Sequence, residues 1–176
     1  ASTAVNVAIG NLQSLTLPAS IATATTLTPP KAFIAHGGES QALTKLKDFL
    51  RALGVEPLVV EEQASGGKEK EENIEKYFKE ADCEIVLATY GEIVDKNTGA
   101  KHPRLNVIDE LARGREKFPN KVVLLLEKDI ELPTNVSGIV YEKFTQDNME
   151  NAFIKVAKEL VAFGILKTIK PPEKNG

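Results

Sequence analysis

Glu110 is the side chain of this sequence best placed to do chemistry. It lies in Pro103-Arg104-Leu105-Asn106-Val107-Ile108-Asp109-Glu110-Leu111-Ala112-Arg113-Gly114-Arg115, where core-forming residues alternate with charges. Pro103 can open a helix there, because its missing N–H would be unpaired in the first turn anyway. Leu105, Ile108, Leu111 and Ala112 then recur at helical spacing and predict one apolar stripe. At ~100° per residue, Glu110 falls beside that stripe, on the flank shared with Asn106, Val107, Arg113 and Gly114, so its carboxylate is expected to edge a cleft. A Glu among Arg104, Arg113 and Arg115 is ordinarily a solvated ion-pair partner. Only its position in a fold can give it another role.

The other chemically capable residues form no partnership. His36 and His102 are the sole histidines, too few to predict a metal site. His36 ends an apolar run and is followed by Gly37-Gly38, which would let a phosphate approach backbone N–H groups; the plainer reading is a tight turn with a hydrogen-bonded His. Gly67-Lys68 is followed by Glu69 where a phosphate-binding loop needs Ser or Thr for magnesium, and no GxGxxG fingerprint occurs. Ser40 lacks a nucleophile-elbow setting. Cys83 is the single cysteine, which excludes disulfides and thiolate metal sites and suits the reducing cytoplasm. Opening an apolar run, it is read as a small buried hydrophobe. No metal and no resident cofactor are expected.

The elements that must position Glu110 follow from periodicity. Ala32 to Ala35 reads as a buried parallel strand turning at His36 to Ser40. Leu43, Leu46, Phe49, Leu50 and Leu53 mark a helix that Gly54 terminates. Val55 to Val60 is a second strand, Glu61 to Lys70 a polar loop, and about Glu71 to Ala81 a helix burying Ile74, Tyr77 and Phe78. Glu84 to Tyr90 is a third strand, and Gly91 to His102 a long polar loop leading to the Glu110 helix. Val122 to Leu126 is a fourth strand, Asp129 to Gly138 a turn-rich loop, and Ile139 to Phe144 a fifth strand. Met149, Phe153, Val156, Leu160 and Phe163 form the last amphipathic helix.

The chain has 176 residues and a formal net charge of -3 with both signs interleaved, which allows one domain and offers no basic surface for nucleic acid. No apolar stretch approaches the ~18 residues that span a bilayer. Residues 1–30 contain no Asp, Glu, Lys or Arg and carry spaced aliphatics among Ala, Ser and Thr, as a linker or an arm packing on a neighbour would. The expected layout is therefore an arm over 1–30, a domain over 31–166 and a polar tail over 167–176. A start at Ala1 is read as that of a fragment or processed piece, leaving room for a fused sensor domain upstream.

Strands alternating with helices at this spacing predict an α/β fold: a five-stranded parallel sheet with helices on both faces, connected by right-handed crossovers. In a flavodoxin-like order, the loops after the first and third strands flank the topological switch point, where ligands bind. Those loops, Gly37 to Ser40 and Gly91 to His102, bring Glu110 near a nucleotide-sized crevice. One carboxylate suffices there for a particular reaction. The nicotinamide of NAD+ is already a cationic leaving group, so its bond to ribose breaks without a general acid, and a single anion can stabilise the oxocarbenium that forms. O-glycosidases need a carboxylate pair because their leaving alkoxide must be protonated. A non-catalytic interaction or nucleotide-binding module and a nucleoside ribosyl-transferring enzyme on a similar sheet are the alternatives.

Phe33-Ile34-Ala35-His36-Gly37, Leu53-Gly54-Val55-Glu56-Pro57, Glu62-Gln63 before Gly66-Gly67, Arg104-Leu105-Asn106-Val107-Ile108-Asp109-Glu110-Leu111 and Leu132-Pro133-Thr134-Asn135-Val136-Ser137-Gly138 resemble, in this order, the prokaryotic TIR-like domains. The Arg-x-Asn-Val-Ile-x-Glu-Leu stretch is the most specific part. The resemblance covers about Lys31 to Gly164 and implies a flavodoxin-like three-layer TIR fold, NAD+ nucleosidase activity and a role as an effector of anti-phage defence. It implies that Glu110 is catalytic and that the Gln63 to Lys68 loop completes the site between subunits of a homo-oligomer. Together with the switch-point placement, this leads to the expectation that His36, Gly37, Gly38, Gln63, Tyr90, Arg104 and Asn106 line the NAD+ site. Leu105, Asp109 and Ala112 depart from the Gln, aromatic residue and Gly often found at those positions.

Overall fold

A computed structural model describes residues 28–60, 68–94, 99–132 and 140–167. In chain order the elements are β1 (Lys31–His36), α1 (Gln41–Ala52), β2 (Glu56–Val59), α2 (Lys68–Glu80), β3 (Cys83–Ala88), β4 (Tyr90–Val94), β5 (Lys101–Pro103), α3 (Leu105–Lys117), β6 (Val122–Glu127), β7 (Tyr141–Phe144) and α4 (Glu150–Ala162). Five strands form one parallel sheet in the order β2-β1-β3-β6-β7, the flavodoxin-like order expected from the sequence. Its switch point lies between β1 and β3, from which the chain winds outward in both directions.

Both faces of this sheet are covered, and the period of two along each strand sorts the core into two layers. Ile34, Ile85, Leu87, Val123 and Leu125 point to α1 and α4, meeting Leu43, Leu46, Leu50, Val156 and Leu160. Phe33, Ala35, Val86, Ala88, Leu124 and Leu126 point the other way, to Ile74 and Phe78 of α2 and Val107 and Leu111 of α3. Phe78 sits between Phe33 and Phe118, with ring centroids 4.8 and 5.8 Å away, and so ties α2 to both β1 and the end of α3. Ser40 caps α1 by accepting the Leu43 N–H at 3.1 Å, and Gly54, at φ 75°, ends it as expected.

Three expectations are corrected. The third strand ends at Ala88, and the expected polar loop from Gly91 opens instead as β4, which pairs antiparallel with β5 in a separate hairpin that Tyr90 begins opposite Pro103. Tyr90-Gly91-Glu92-Ile93-Val94 and Lys101-His102-Pro103 are too short and too mixed to show a period of two. The α2 helix starts at Lys68, inside the expected loop, because a charged first turn carries no periodic apolar signal. The expected stripe on α3 is half right: Leu111 is buried and Ile108 packs against the core, but Leu105 is 69% exposed and Ala112 is exposed, and Val107, Gly114 and Phe118 complete the buried face. Residues at i, i+4, i+7 and i+11 fit one face as well as the predicted set did, and only packing against β3 chooses between them. The start of the fifth strand at Ile139, the Pro133 to Gly138 motif, most of the 1–30 arm and most of the 167–176 tail lie outside the described residues.

Candidate active site

The carboxyl edge of the sheet at the β1–β3 switch point is built from the turn after β1, the hairpin after β3 and the start of α3. His36 anchors the turn. Its ring is buried, and with the proton on Nε2 it accepts the Gly38 N–H at Nδ1 (3.1 Å) and donates to the Val60 carbonyl (3.2 Å), fixing the β1 turn to the end of β2. Gly37 and Gly38 leave the space above this turn to Arg104: a Cβ on Gly37 would lie 3.4 Å from Arg104 Cδ, and one on Gly38 would lie 3.4 Å from Nη1. Gly38 also has φ +130°, which L side chains rarely adopt. Gly91 completes the seat, since a Cβ there would stand 3.0 Å from Arg104 Cγ and 3.1 Å from its backbone N. Arg104 thus runs across three glycines at the place where doubly wound sheets bind ligands, with the N-terminus of α3 directly behind it.

Glu110 lies six residues into this helix from Arg104, roughly 9 Å along its axis. It is 8% exposed, so it is not a solvated surface glutamate. Arg113, on the same flank, pairs with Glu75 of α2 and lies over the Phe78 ring at 5.4 Å. That contact identifies the flank of Asn106, Glu110 and Arg113 as the one facing α2. Glu110 therefore lies on the flank of α3 turned toward α2, with half-buried Asn106 one turn nearer the helix start. Tyr90 is 42% exposed at the rim, with Lys101 Nζ 5.1 Å above its ring. Gln63 falls outside the described residues. Arg104 and Asn106 thus share one helix end with the Gly37–Gly38 turn and Tyr90 beside it, Glu110 lies at mid-helix behind them, and His36 holds the turn.

Two positions that bear on this geometry escaped the sequence reading. Glu127, at the end of β6, accepts the Tyr90 N–H at 2.8 Å and the Gln146 side-chain amide at 3.0 Å, and Gln146 in turn accepts the Ala42 N–H of α1 at 3.0 Å. This chain of bonds fixes where the Tyr90 hairpin leaves the sheet. Glu84 is fully buried in β3, and among the described residues neither of its oxygens has a hydrogen-bond partner. A carboxylate inside an otherwise apolar strand of a covered sheet was the available signal. Burial first, and then the charge of Glu110, push its carboxyl up to about 9, with Arg113 opposing. Cys83, next to it, is buried as expected, and its thiol is pushed up to about 12, mainly by burial.

Glu84 fits because α3 has a glycine above it. A Cβ on Gly114 would stand 1.4 Å from Glu84 Oε2 and 2.3 Å from Cδ. Gly114→Ala should therefore destabilise the fold by about 3 kcal/mol, at the upper end of overpacking costs, and Glu84→Ala should recover most of that loss in the double variant. Chemical denaturation of the four proteins in the cycle measures this; additive effects would show that the two residues do not share the space.

Among the described residues, no group of three or more His, Cys, Asp or Glu side chains is arranged to hold a metal ion, and no helix is long and apolar enough to cross a membrane.

Residues 31–146 match the family described as the TIR domain of the CAP12/Pycsar effector protein. The chain is 29% identical over 120 residues to the uncharacterized protein YuaY of Escherichia coli K12, an alignment covering 66% of this chain and 40% of YuaY. It is 28% identical over 134 residues to protein tirC of Dictyostelium discoideum, covering 68% of this chain and 67% of tirC. It is also 29% identical over 133 residues to CD-NTase-associated protein 12 of Sphingobacterium faecium, covering 70% of this chain and 40% of that protein. The chain thus spans well under half the length of two of these relatives.

Proposed function

The chain belongs to the CAP12/Pycsar effector TIR-domain family, and from that premise we propose that it is an NAD+ nucleosidase serving anti-phage defence. The observation that carries this reading is a buried carboxylate, Glu110, set below an arginine and a glycine turn at the switch point of a doubly wound sheet. The diphosphate of NAD+ is suited to the mouth, where Arg104 and the positive end of α3 meet the backbone of Gly37 and Gly38. Asn106 is then near the ribose, and the Tyr90 ring offers an apolar face at the rim. Deeper in the groove, Glu110 faces the ribose carbon bonded to nicotinamide.

The chemistry needs little more. As the glycosidic bond breaks, its electron pair leaves with nicotinamide and neutralises the pyridinium. Positive charge moves onto the ribose, where a nearby anion in a poorly hydrated groove stabilises it far more than in water. Water then adds to the ribose carbon, a proton is lost, and ADP-ribose departs. NAD+ is the substrate, and no step requires a resident cofactor.

Incubation of the purified domain with NAD+ tests the proposal. Nicotinamide release supports it, absence of turnover supports an interaction module, and base exchange among nucleosides supports a ribosyl transferase. The assay should span a wide range of protein concentration. The uncharged aliphatic arm over 1–30 and the Gly66-Gly67 pair beside Gln63 suit a site completed by a second copy, since ordering a glycine-rich segment costs entropy that association can offset. Specific activity should then rise with concentration; a constant value would show that one domain carries the whole site.

A further inference from the structure

Glu84 is the buried group that this chemistry leaves unused. Its side chain is on the α2/α3 face of β3, with Phe33 of β1 and Val122 of β6 as its strand partners. A buried carboxyl without hydrogen bonds lowers stability, and such groups persist where they serve a site. Its position relative to Glu110 follows from Gly114. Residues four apart on a helix carry their Cβ positions roughly 5–6 Å apart. Glu84 Oε2 stands 1.4 Å from where a Gly114 Cβ would be, so it lies about one helical turn from the root of the Glu110 side chain. Side chains on a helix lean toward its N-terminus, which directs the Glu110 carboxylate away from Glu84 and toward the mouth of the groove.

Burial penalises a charge on Glu84 first, and an anion on Glu110 about one turn away adds to that penalty. The deeper carboxyl keeps a proton. On the reading that Glu110 is catalytic, we propose that Glu84 is its positioning residue: the pair carries one proton, which Glu84 holds beneath Gly114, leaving Glu110 as the anion that faces the groove and α3 seated on β3. The charged groups acting on Glu84 are Glu110 and Arg113, both from α3, and its strand partners are apolar. Loss of the proton would place a second anion under Gly114 without a hydrogen bond. The relief available is for α3 to lift from the sheet, carrying Glu110 out of register with the mouth.

The test compares wild type with Glu84→Gln and Glu84→Leu, neither of which can ionise, the second covering the case in which a buried amide folds poorly. Nicotinamide release by wild type should fall about tenfold per pH unit once Glu84 ionises near pH 9. Each variant, relative to its own neutral-pH rate, should hold that rate about one pH unit or more further. The same alkaline fall in a folded variant overturns the proposal. A second readout separates it from the NAD+ reading: the Glu84 carboxyl, followed by carbon-13 NMR, should titrate about one pH unit lower in Glu110→Gln than in wild type. An unmoved midpoint overturns the pair whether or not the domain turns over NAD+, and a moved midpoint in a domain without turnover upholds the pair and removes only the nucleosidase reading.

Discussion

Glu110→Gln should reduce nicotinamide release by about a hundredfold to a thousandfold while changing stability by no more than about 1 kcal/mol. The amide keeps the shape of the side chain and its place in the α2–α3 groove, so packing against the sheet is conserved. What disappears is the negative charge, the part that distinguishes an oxocarbenium-like transition state from the ground state. The Michaelis constant for NAD+ should change little, because the arginine, the glycine turn and the helix N-terminus that suit the diphosphate are all retained. A buried carboxylate that were only a structural ion-pair member would behave differently: its loss would cost several kcal/mol and affect turnover only through unfolding. Paired measurement of turnover and denaturation decides between these, and a rate within a few fold of wild type would remove Glu110 from the chemistry.

The second large effect is on stability as a function of pH. The Glu84 carboxyl is at about 9 in the folded protein against an ordinary value of 4.5, raised chiefly by burial and then by Glu110. Between these values the folded protein keeps a proton that the unfolded chain has released. Folding therefore takes up a proton, and the contribution of this group, fully present below about pH 4.5, is lost as pH rises toward about 9. The slope approaches 1.4 kcal/mol per pH unit, so moving from about pH 6 to about pH 8 costs about 3 kcal/mol from this one residue. Glu84→Gln removes that slope. Its melting temperature should exceed that of wild type by a margin that widens with pH over this range, and parallel curves would show that Glu84 is ionised in the folded state.

The alternation of apolar runs with helical periodicity was enough to establish, from sequence, a doubly wound parallel sheet and its switch point. Strands and helices announce themselves through local spacing, and for five strands alternating with helices few connections remain possible. Gly54 was legible as a helix end for the same local reason, and Glu110 stood out because its neighbours Arg104, Asn106 and Leu111 carry a family pattern. Which face of α3 is buried was not legible. Leu105-Ile108-Leu111-Ala112 and Val107-Leu111-Gly114-Phe118 are both plausible stripes, and the choice depends on β3, β1 and β6, whose side chains α3 meets only in the folded protein. The same limit hid the hairpin begun by Tyr90, held by Glu127 from another strand. It also hid the pairing of Glu84 with Gly114, thirty residues apart: a glycine in a helix and a glutamate in an apolar strand each look like a local flaw. Their mutual fit, and the charge it places beneath Glu110, exist only once the helix lies on the sheet, because space and dielectric are properties of the packed interior and not of either segment alone.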